Sequence, residues 1–512
     1  MAKKVLIIGA GVAGLSAGRV LAENGYAVEI YELDSSVGGM SKSLNMFNQI
    51  VDIGPHRFFS KDERLNDFWS AHTNGQSEKV SRLTRIFYNK KFFYYPLRGF
   101  DALFKLGVFE SALCVMSFIK AKIKPFRGDN FESWVANAFG YRLYSIFFKS
   151  YTQKLWGIEC KDLDSDFARQ RIKGLNLYEA IKSAFLGDKN KKHKTLVDEF
   201  SYPKKGCGVV YENMAKEIIA RGGKIICNAE VQGIITHDKK AIGIRTKSGD
   251  IYGDIVISTA PFRDMVLSLD ELDSGIKSLA QNLKFRNTIL VYVEVDCENH
   301  IKFNGEKSEV FCDDLRGFQA RNKGVTKKVT TEIECAESAQ SAQKTKLFSD
   351  NWIYVHSKNI ATGRITNFAN WTKDLRCGRS ESILCLEYWA NDDEQLWNIS
   401  DDEIIKIAKN DLLDSALVAE SSQIKRTQTL KIHKSYPVYE RGYKANLNKI
   451  YDALDRFSDL YFIGRNGAFK YNNQDHSLLM GLKCADKILG QKSLNLWEIN
   501  TDYDYQEGKI AK

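Results

Sequence analysis

The chain has 512 residues, 44% hydrophobic and 27% charged, with a net charge of +10. That length exceeds what a single core organises, and the composition is that of a folded globular protein, which excludes a disordered or fibrous chain. No zinc-finger, basic-zipper or RNA-binding signature accompanies the positive charge, so it reads as a lysine-rich surface or a site for an anionic ligand or surface, and nucleic acid is not expected as a partner.

The opening stretch, "MAKKVLIIGAGVAGLSAG", places lysines before an apolar run and small residues in the manner of a signal peptide. Its glycine spacing instead reads as a strand and tight turn. Residues 5–8 and 27–31 are predicted strands flanking a helix, a βαβ unit that implies a parallel sheet. "LFKLGVFESALCVMSFIKAKIK" is broken by Glu110 and flanked by lysines, too charged to span a bilayer, so no transmembrane segment is expected. A helix packed on the core, or peripheral contact with a membrane surface, stays open for it. Helical spacing continues through "YRLYSIFFKSYTQKLW" and "GLNLYEAIKSAFL". From Ser201 the pattern returns to α/β, with strands at 224–227 and 255–258 and a hairpin turning at Ser-Gly-Asp. "NTILVYVEV", "NWIYVHS" and "SILCLEYWA" read as strands of a β-rich region, interrupted by a polar insertion at about 297–350. The end reads as strand, glycine turn and helix. The ten cysteines include no C-x-x-C pair, which argues against a metal or redox motif and fits a reducing cytoplasm.

The expected fold is therefore α/β. A Rossmann-type domain is assembled from residues 1–98, 199–264 and 431–495. A helical domain at 99–198 and a β-rich substrate domain at 265–430 are inserted into it, and 496–512 form a tail.

Gly9, Gly11 and Gly14 give G-x-G-x-x-G between strand and helix. The first glycine permits the turn, the second admits a pyrophosphate and the third lets helix and strand pack. Ala13 lies on the helix start, whose amides favour phosphate. Glu32 ends the second strand, where a carboxylate accepts ribose hydroxyls. A second glycine pair, Gly38 and Gly39, and the stretch "VISTAP" resemble the loops that lie against the pyrophosphate and flavin in FAD proteins of the amine-oxidase and glutathione-reductase type.

Five segments in order resemble UDP-galactopyranose mutases, within the amine-oxidase and protoporphyrinogen-oxidase-like flavoproteins. They are the glycine-rich start, "GPHRFFSKD", "YRLYSIFFKSYTQKLWGIECKDLDSDFARQRI", "NIATGRITNFANW" and "GRNGAFKYNNQDHSLLMG". The "NQDHS" is closest in style to fungal-type enzymes. The resemblance implies reduced FAD whose N5 attacks the anomeric carbon of a nucleotide-diphosphate sugar, displaces the diphosphate and allows pyranose and furanose forms to interconvert in surface-glycan biosynthesis.

By the same resemblance, Arg364 is the diphosphate arginine and Arg171 the second arginine, with His56 against the flavin; these three form the expected catalytic set. Leu175 stands where bacterial-type enzymes carry a further arginine, and Asn473 where they carry aspartate. Trp156, Tyr471, Asn473, Tyr436 and Tyr439 are expected on the substrate. Val231, Gly464, Arg465, Asp475 and Ser477 join the glycines, Ala13, Glu32 and His56 on the cofactor. A helix beginning near Ser477 is expected to aim its N-terminus at the flavin. The alternative is a true FAD-dependent oxidoreductase of the amine-oxidase type. The sequence leaves the oligomeric state open, a homo-oligomer included.

Overall fold

The computed structural model describes residues 2–95, 97, 99–172, 199–296, 347–491 and 493–499. Leu175, the rest of 173–198, most of the polar insertion and all of the tail from 500 lie outside the described residues. For Arg171 only the backbone is described, in the helix Ser165–Ile172.

A five-stranded parallel sheet runs in the order Leu460–Phe462, Ile255–Ser258, Lys4–Ile8, Ala27–Tyr31, Lys224–Ile226. Its central strands are short apolar runs, "VLII" and "IVIS", buried throughout, as a parallel sheet covered on both faces requires. The helix Val12–Glu23 comes after the first strand, and the helix Gln474–Ile488 packs against it. Gly481 allows that approach: a Cβ there would stand 2.0 Å from Ser16 Oγ and 2.6 Å from the Ala13 carbonyl oxygen. The sheet thus draws strands from three distant stretches of chain.

A seven-stranded mixed sheet supplies the second framework. Its order is Ile424–Pro437, Phe285–Val295, Ser382–Ala390, Arg364–Asn367, Trp352–Val355, Thr84–Tyr88, Lys91–Tyr94. Thr84–Tyr88 and Lys91–Tyr94 were expected in the first FAD-binding segment. They join this sheet instead, because Thr84–Tyr88 pairs in parallel with Trp352–Val355. Period-two alternation sorts the side chains. Ile289, Val291, Val293, Ile365, Leu384 and Leu386 pack with Ile404, Ala408 and Leu412 of the helix Asp401–Asp414. Arg364 and Glu387, opposite each other in register, belong to the other face.

The helical segment runs through Gly99–Leu106, Val108–Ile123, Phe131–Phe139 and Tyr141–Tyr144, then through a π-helical turn, Ser145–Lys149, into Ser150–Trp156. Gly107 at φ 90° separates the first two helices, which the sequence reading ran together. Phe147 and Phe148 within the π turn, and Tyr151 just after it, face a cavity.

Candidate functional site

A cavity of about 1350 Å³ runs from the carboxyl ends of the parallel strands to the seven-stranded sheet. Its first end is a glycine cradle. Gly9, at φ 97°, donates its N–H to the Tyr31 carbonyl, and a Cβ there would meet Thr259 Oγ1 at 2.2 Å. A Cβ on Gly14 would stand 2.1 Å from the Gly9 carbonyl oxygen, so helix and turn touch through bare backbone. Gly11 forms a parallel bridge with Gly38, whose N–H donates to the Ala10 carbonyl. Gly39 presses so close that its Cβ would lie 3.1 Å from Gly11 Cα. The two glycine pairs therefore make one floor of bare backbone at the start of the helix Val12–Glu23, where a phosphate can approach closely. Glu32 accepts from the Ala10 amide at 2.6 Å and from the Asp34 amide at 2.9 Å, which fixes its carboxylate at the strand end. Ala13, Val231, Gly464, Arg465, Asp475 and Ser477 line the same stretch.

The helix expected near Ser477 begins at Gln474. Asn473 precedes it as the cap residue, its backbone amide donating to His476 Nδ1 at 3.3 Å. Gln474, which the sequence reading did not single out, is 5% exposed and lines the cavity. Its Oε1 accepts from the Tyr211 hydroxyl at 2.5 Å and from Cys207 Sγ at 3.1 Å, while its Nε2 has no hydrogen-bond partner among the described residues. A donor held this rigidly and left unmatched fits a ligand carbonyl.

The second end is aromatic and cationic. Arg364 donates from Nε and Nη2 to the two oxygens of Glu387, both at 2.5 Å, and leaves Nη1 unengaged by that bridge. Glu387 is 2% exposed. Burial opposes the charge on Arg364, yet Glu387 beside it holds the guanidinium well above its ordinary pKa. The Tyr436 and Tyr471 rings stack at 5.3 Å, with the Arg465 guanidinium over both, at 5.1 and 5.6 Å. Arg465 donates to the Asn472 carbonyl and so joins the cofactor end to this tyrosine pair. His56 lies on the wall between the two ends, and its Nδ1 has no hydrogen-bond partner among the described residues. Burial, with Arg465 and Arg364 adding repulsion, pushes this imidazole down to about 3, so it is neutral near pH 7.

Two residues expected on the substrate stand elsewhere. Trp156 is fully buried, stacked on Tyr439 at 6.2 Å and tilted against Tyr471 at 5.6 Å. Tyr439 stacks on Tyr443 at 4.4 Å, and its hydroxyl accepts from the Tyr471 amide at 2.6 Å. Neither lines the cavity; both form a layer behind Tyr471 and hold its ring and backbone. In the opening loop, Phe58 stacks on Trp69 at 4.6 Å as core, whereas Arg57 and Phe59 line the cavity.

Three further wall residues were not found from sequence. His356 is 5% exposed, stacks on Tyr151 at 4.9 Å, and is pushed down to about 3 by burial and by Lys154. Burial pushes the Tyr151 phenol well above its ordinary value. Arg82 lies over the Trp352 and Tyr95 rings, each at 5.8 Å. The signal for Tyr151 was in "YSIFFKSYTQKLW", where a ring run at helical spacing reads equally as core. Behind this wall, Lys154 Nζ donates to the carbonyls of Val355, Ser357 and Thr362 and pins the segment that carries His356 toward Arg364. Burial holds its pKa down at about 8.

Strand, glycine turn and helix, a carboxylate at the next strand end and a long adjoining cavity define a flavoenzyme of the FAD-binding Rossmann type. Residues 12–331 match the family described as flavin containing amine oxidoreductase, and the chain belongs to that family. FAD is its cofactor, and the glycine floor, Glu32 and the unmatched Gln474 amide fit it. Among curated relatives, a probable UDP-galactopyranose mutase of Klebsiella pneumoniae is 29% identical over 180 residues, 33% of this chain and 44% of that one. A 4,4'-diapophytoene desaturase of Methylomonas sp is 22% identical over 323 residues, 57% of this chain and 61% of that one. These matches span less than two thirds of either relative. A crystal structure of reduced UDP-galactopyranose mutase superposes with a TM-score of 0.78 at 20% identity, covering 98% of each chain. A putative protoporphyrinogen oxidase from Exiguobacterium gives 0.67 at 13%, covering 95% of this chain and 99% of that one. These solved structures share the fold. Among the described residues no helix is long and apolar enough to cross a membrane, and no cluster of side chains suits a metal.

Proposed function

We propose that this flavoenzyme interconverts the pyranose and furanose forms of a nucleotide-diphosphate sugar, as an isomerase serving surface-glycan synthesis. The observation that carries this reading is Arg364. A guanidinium oriented by a buried carboxylate, on the wall of a cavity that begins at a dinucleotide cradle, suits a diphosphate leaving group. An oxidase of a simple amine does not need a cation for a diphosphate.

Bound reduced FAD supplies the nucleophile toward the anomeric carbon. The protein's own groups bind and orient. Glu387 takes two of the five N–H donors of Arg364, and three remain for diphosphate oxygens as negative charge develops on them. Tyr436 and Tyr471, with Arg465 over their rings, form a rigid platform for the sugar and diphosphate. Neutral His56 presents Nδ1 beside the flavin site without adding charge. The helix Gln474–Ile488 begins on the cavity wall, where Gln474 Nε2 would donate to bound FAD and the helix N-terminus would favour negative charge on it. Arg171 stands as the second diphosphate cation in this proposal, and Trp156 and Tyr439 act through Tyr471.

The experiment is to reduce the purified protein with dithionite and offer UDP-, GDP- and dTDP-sugars, separating pyranose from furanose products chromatographically. A furanose formed only with reduced flavin is the expected result. Oxygen consumption with an amine or polyene substrate, and no isomer from any nucleotide sugar, would overturn the proposal in favour of an oxidoreductase.

A further inference from the structure

The helix Val108–Ile123 is apolar on two sides. Cys114, Phe118 and Ala121 pack into the core. On the opposite side Val108, Phe109, Met116 and Ile123 are 90%, 81%, 65% and 79% exposed, and Phe104 at the end of the preceding helix is 88% exposed. At about 100° per residue, Val108, Ile119, Ala112, Ile123, Met116 and Phe109 fall in that order within a single arc roughly 100° wide. Lys120 falls at one edge of the arc and Lys122 at the other. Phe126 and Tyr141, both exposed and stacked at 5.7 Å, extend the apolar surface beyond the helix end. A surface of this extent turned to water is costly for a soluble chain and marks a contact face.

We propose that this face docks the enzyme onto an anionic lipid bilayer, lying along the interface with its apolar arc among the acyl chains. Charge selects this occupant. Between Ser111 and Gly128 the chain carries Lys120, Lys122, Lys124 and Arg127 and no carboxylate. Lysines edging an apolar arc extend their ammonium groups to the headgroup level while their stems cover apolar surface. Lys122 already lies over the Phe118 ring at 5.1 Å. A second copy of the chain offers no complement. Packed antiparallel, its helix would bring these cations to the Asp101 and Glu110 end, where Asp101 is bridged to Lys105 at 2.6 Å and Glu110 to Arg142 at 2.5 Å. At 1.5 Å per residue this 16-residue helix is about 24 Å long, suited to lying on a bilayer and too short to cross one. Tyr95 and Leu97, just before these helices in the chain, line the cavity, so docking brings one cavity wall near the membrane. The inference is independent of which reaction the flavin performs.

The test is flotation of the full-length, FAD-loaded protein with vesicles of phosphatidylcholine alone and vesicles containing a third phosphatidylglycerol. Partition onto the anionic vesicles is expected, weakening with added salt. The double variant Phe109→Ser, Ile119→Ser should reduce it at least about tenfold, and so should Lys120→Gln with Lys122→Gln and Lys124→Gln. Flavin content and thermal unfolding should not change, since the altered side chains face water. Absence of partition onto either vesicle, or equal partition of the serine variant, would overturn the proposal. So would a dimer on gel filtration that the serine substitutions dissociate in protein with no affinity for vesicles, which would make the face a self-association surface.

Discussion

Replacing Arg364 by lysine keeps a positive charge beside Glu387 but removes the planar fork. In the native arrangement two N–H groups are spent on Glu387 at 2.5 Å and three remain for the ligand. A lysine ammonium has three in all and must still satisfy the carboxylate. One to two charge-assisted hydrogen bonds to the diphosphate are then lost, at about 1.5–3 kcal/mol each. UDP should bind at least about tenfold more weakly by titration calorimetry, and up to about 10⁴-fold more weakly if two bonds are lost at the upper value. Arg364→Ala does something else as well: it leaves Glu387 buried without its cation, a loss of about 3–5 kcal/mol in unfolding free energy. Arg364→Met combined with Glu387→Met removes both charges and should recover most of that stability while UDP affinity stays low. The three variants separate holding the fold from holding the ligand. UDP affinity within twofold of the native protein, in either the lysine or the double-methionine variant, would refute the assignment of Arg364 to the diphosphate.

Four other sites yield expectations of their own. Gly14→Ala forces a Cβ toward the Gly9 carbonyl oxygen at 2.1 Å, which backbone cannot yield, so the purified variant should lose most of its flavin absorbance relative to protein. His356 is held down to about 3 against about 6.5 unfolded, so the unfolded chain takes up its proton first as pH falls. Its contribution to stability is present above pH 6.5 and is lost between there and pH 3, at up to about 1.4 kcal/mol per pH unit. Asp52, pushed up to about 6 by burial, acts in the opposite sense, gaining stability as pH falls through 6 toward 3.8. The clean readout is therefore the difference between the native protein and His356→Gln in denaturant unfolding at pH 7 and pH 5, where the variant should lose less on acidification. Trp156→Ala should cost about 3–5 kcal/mol in unfolding, from a fully buried ring. Its nucleotide-sugar KM should rise less than that of Arg364→Lys, measured as isomerase activity of the reduced enzyme, since the tryptophan acts only through Tyr471.

The parallel sheet was legible because each central strand is a short apolar run bounded by turn residues, and the glycine spacing after the first strand specifies a tight turn into a helix. Strand membership was not legible for Thr84–Tyr88: nothing in its own residues says that its partner, Trp352–Val355, lies more than half the chain away. The same limit hid Glu387. It reads as one carboxylate in an apolar strand, and only the register of Arg364–Asn367 against Ser382–Ala390 sets it opposite the arginine. Rings posed a different difficulty. Tyr471, in contact with the cavity, and Trp156, one layer behind it, carry the same apolar and aromatic signature in sequence, and only packing order separates them. His356 was hidden for the converse reason, as a lone imidazole just past the strand Trp352–Val355 with no motif around it.

The parallel sheet also sets a schedule for making the protein. Lys4–Ile8 pairs at once with Ala27–Tyr31, but its other edge waits for Ile255–Ser258. At 5–20 residues per second that interval of roughly 250 residues is on the order of 12–50 s of translation, and the outer strand Leu460–Phe462 takes about as long again. Throughout, the growing chain presents the bare edge of an apolar strand, the template on which other chains pair wrongly. A nascent-chain chaperone that covers this edge, or slow synthesis at low temperature, should raise the fraction of chains that reach the flavin-loaded state.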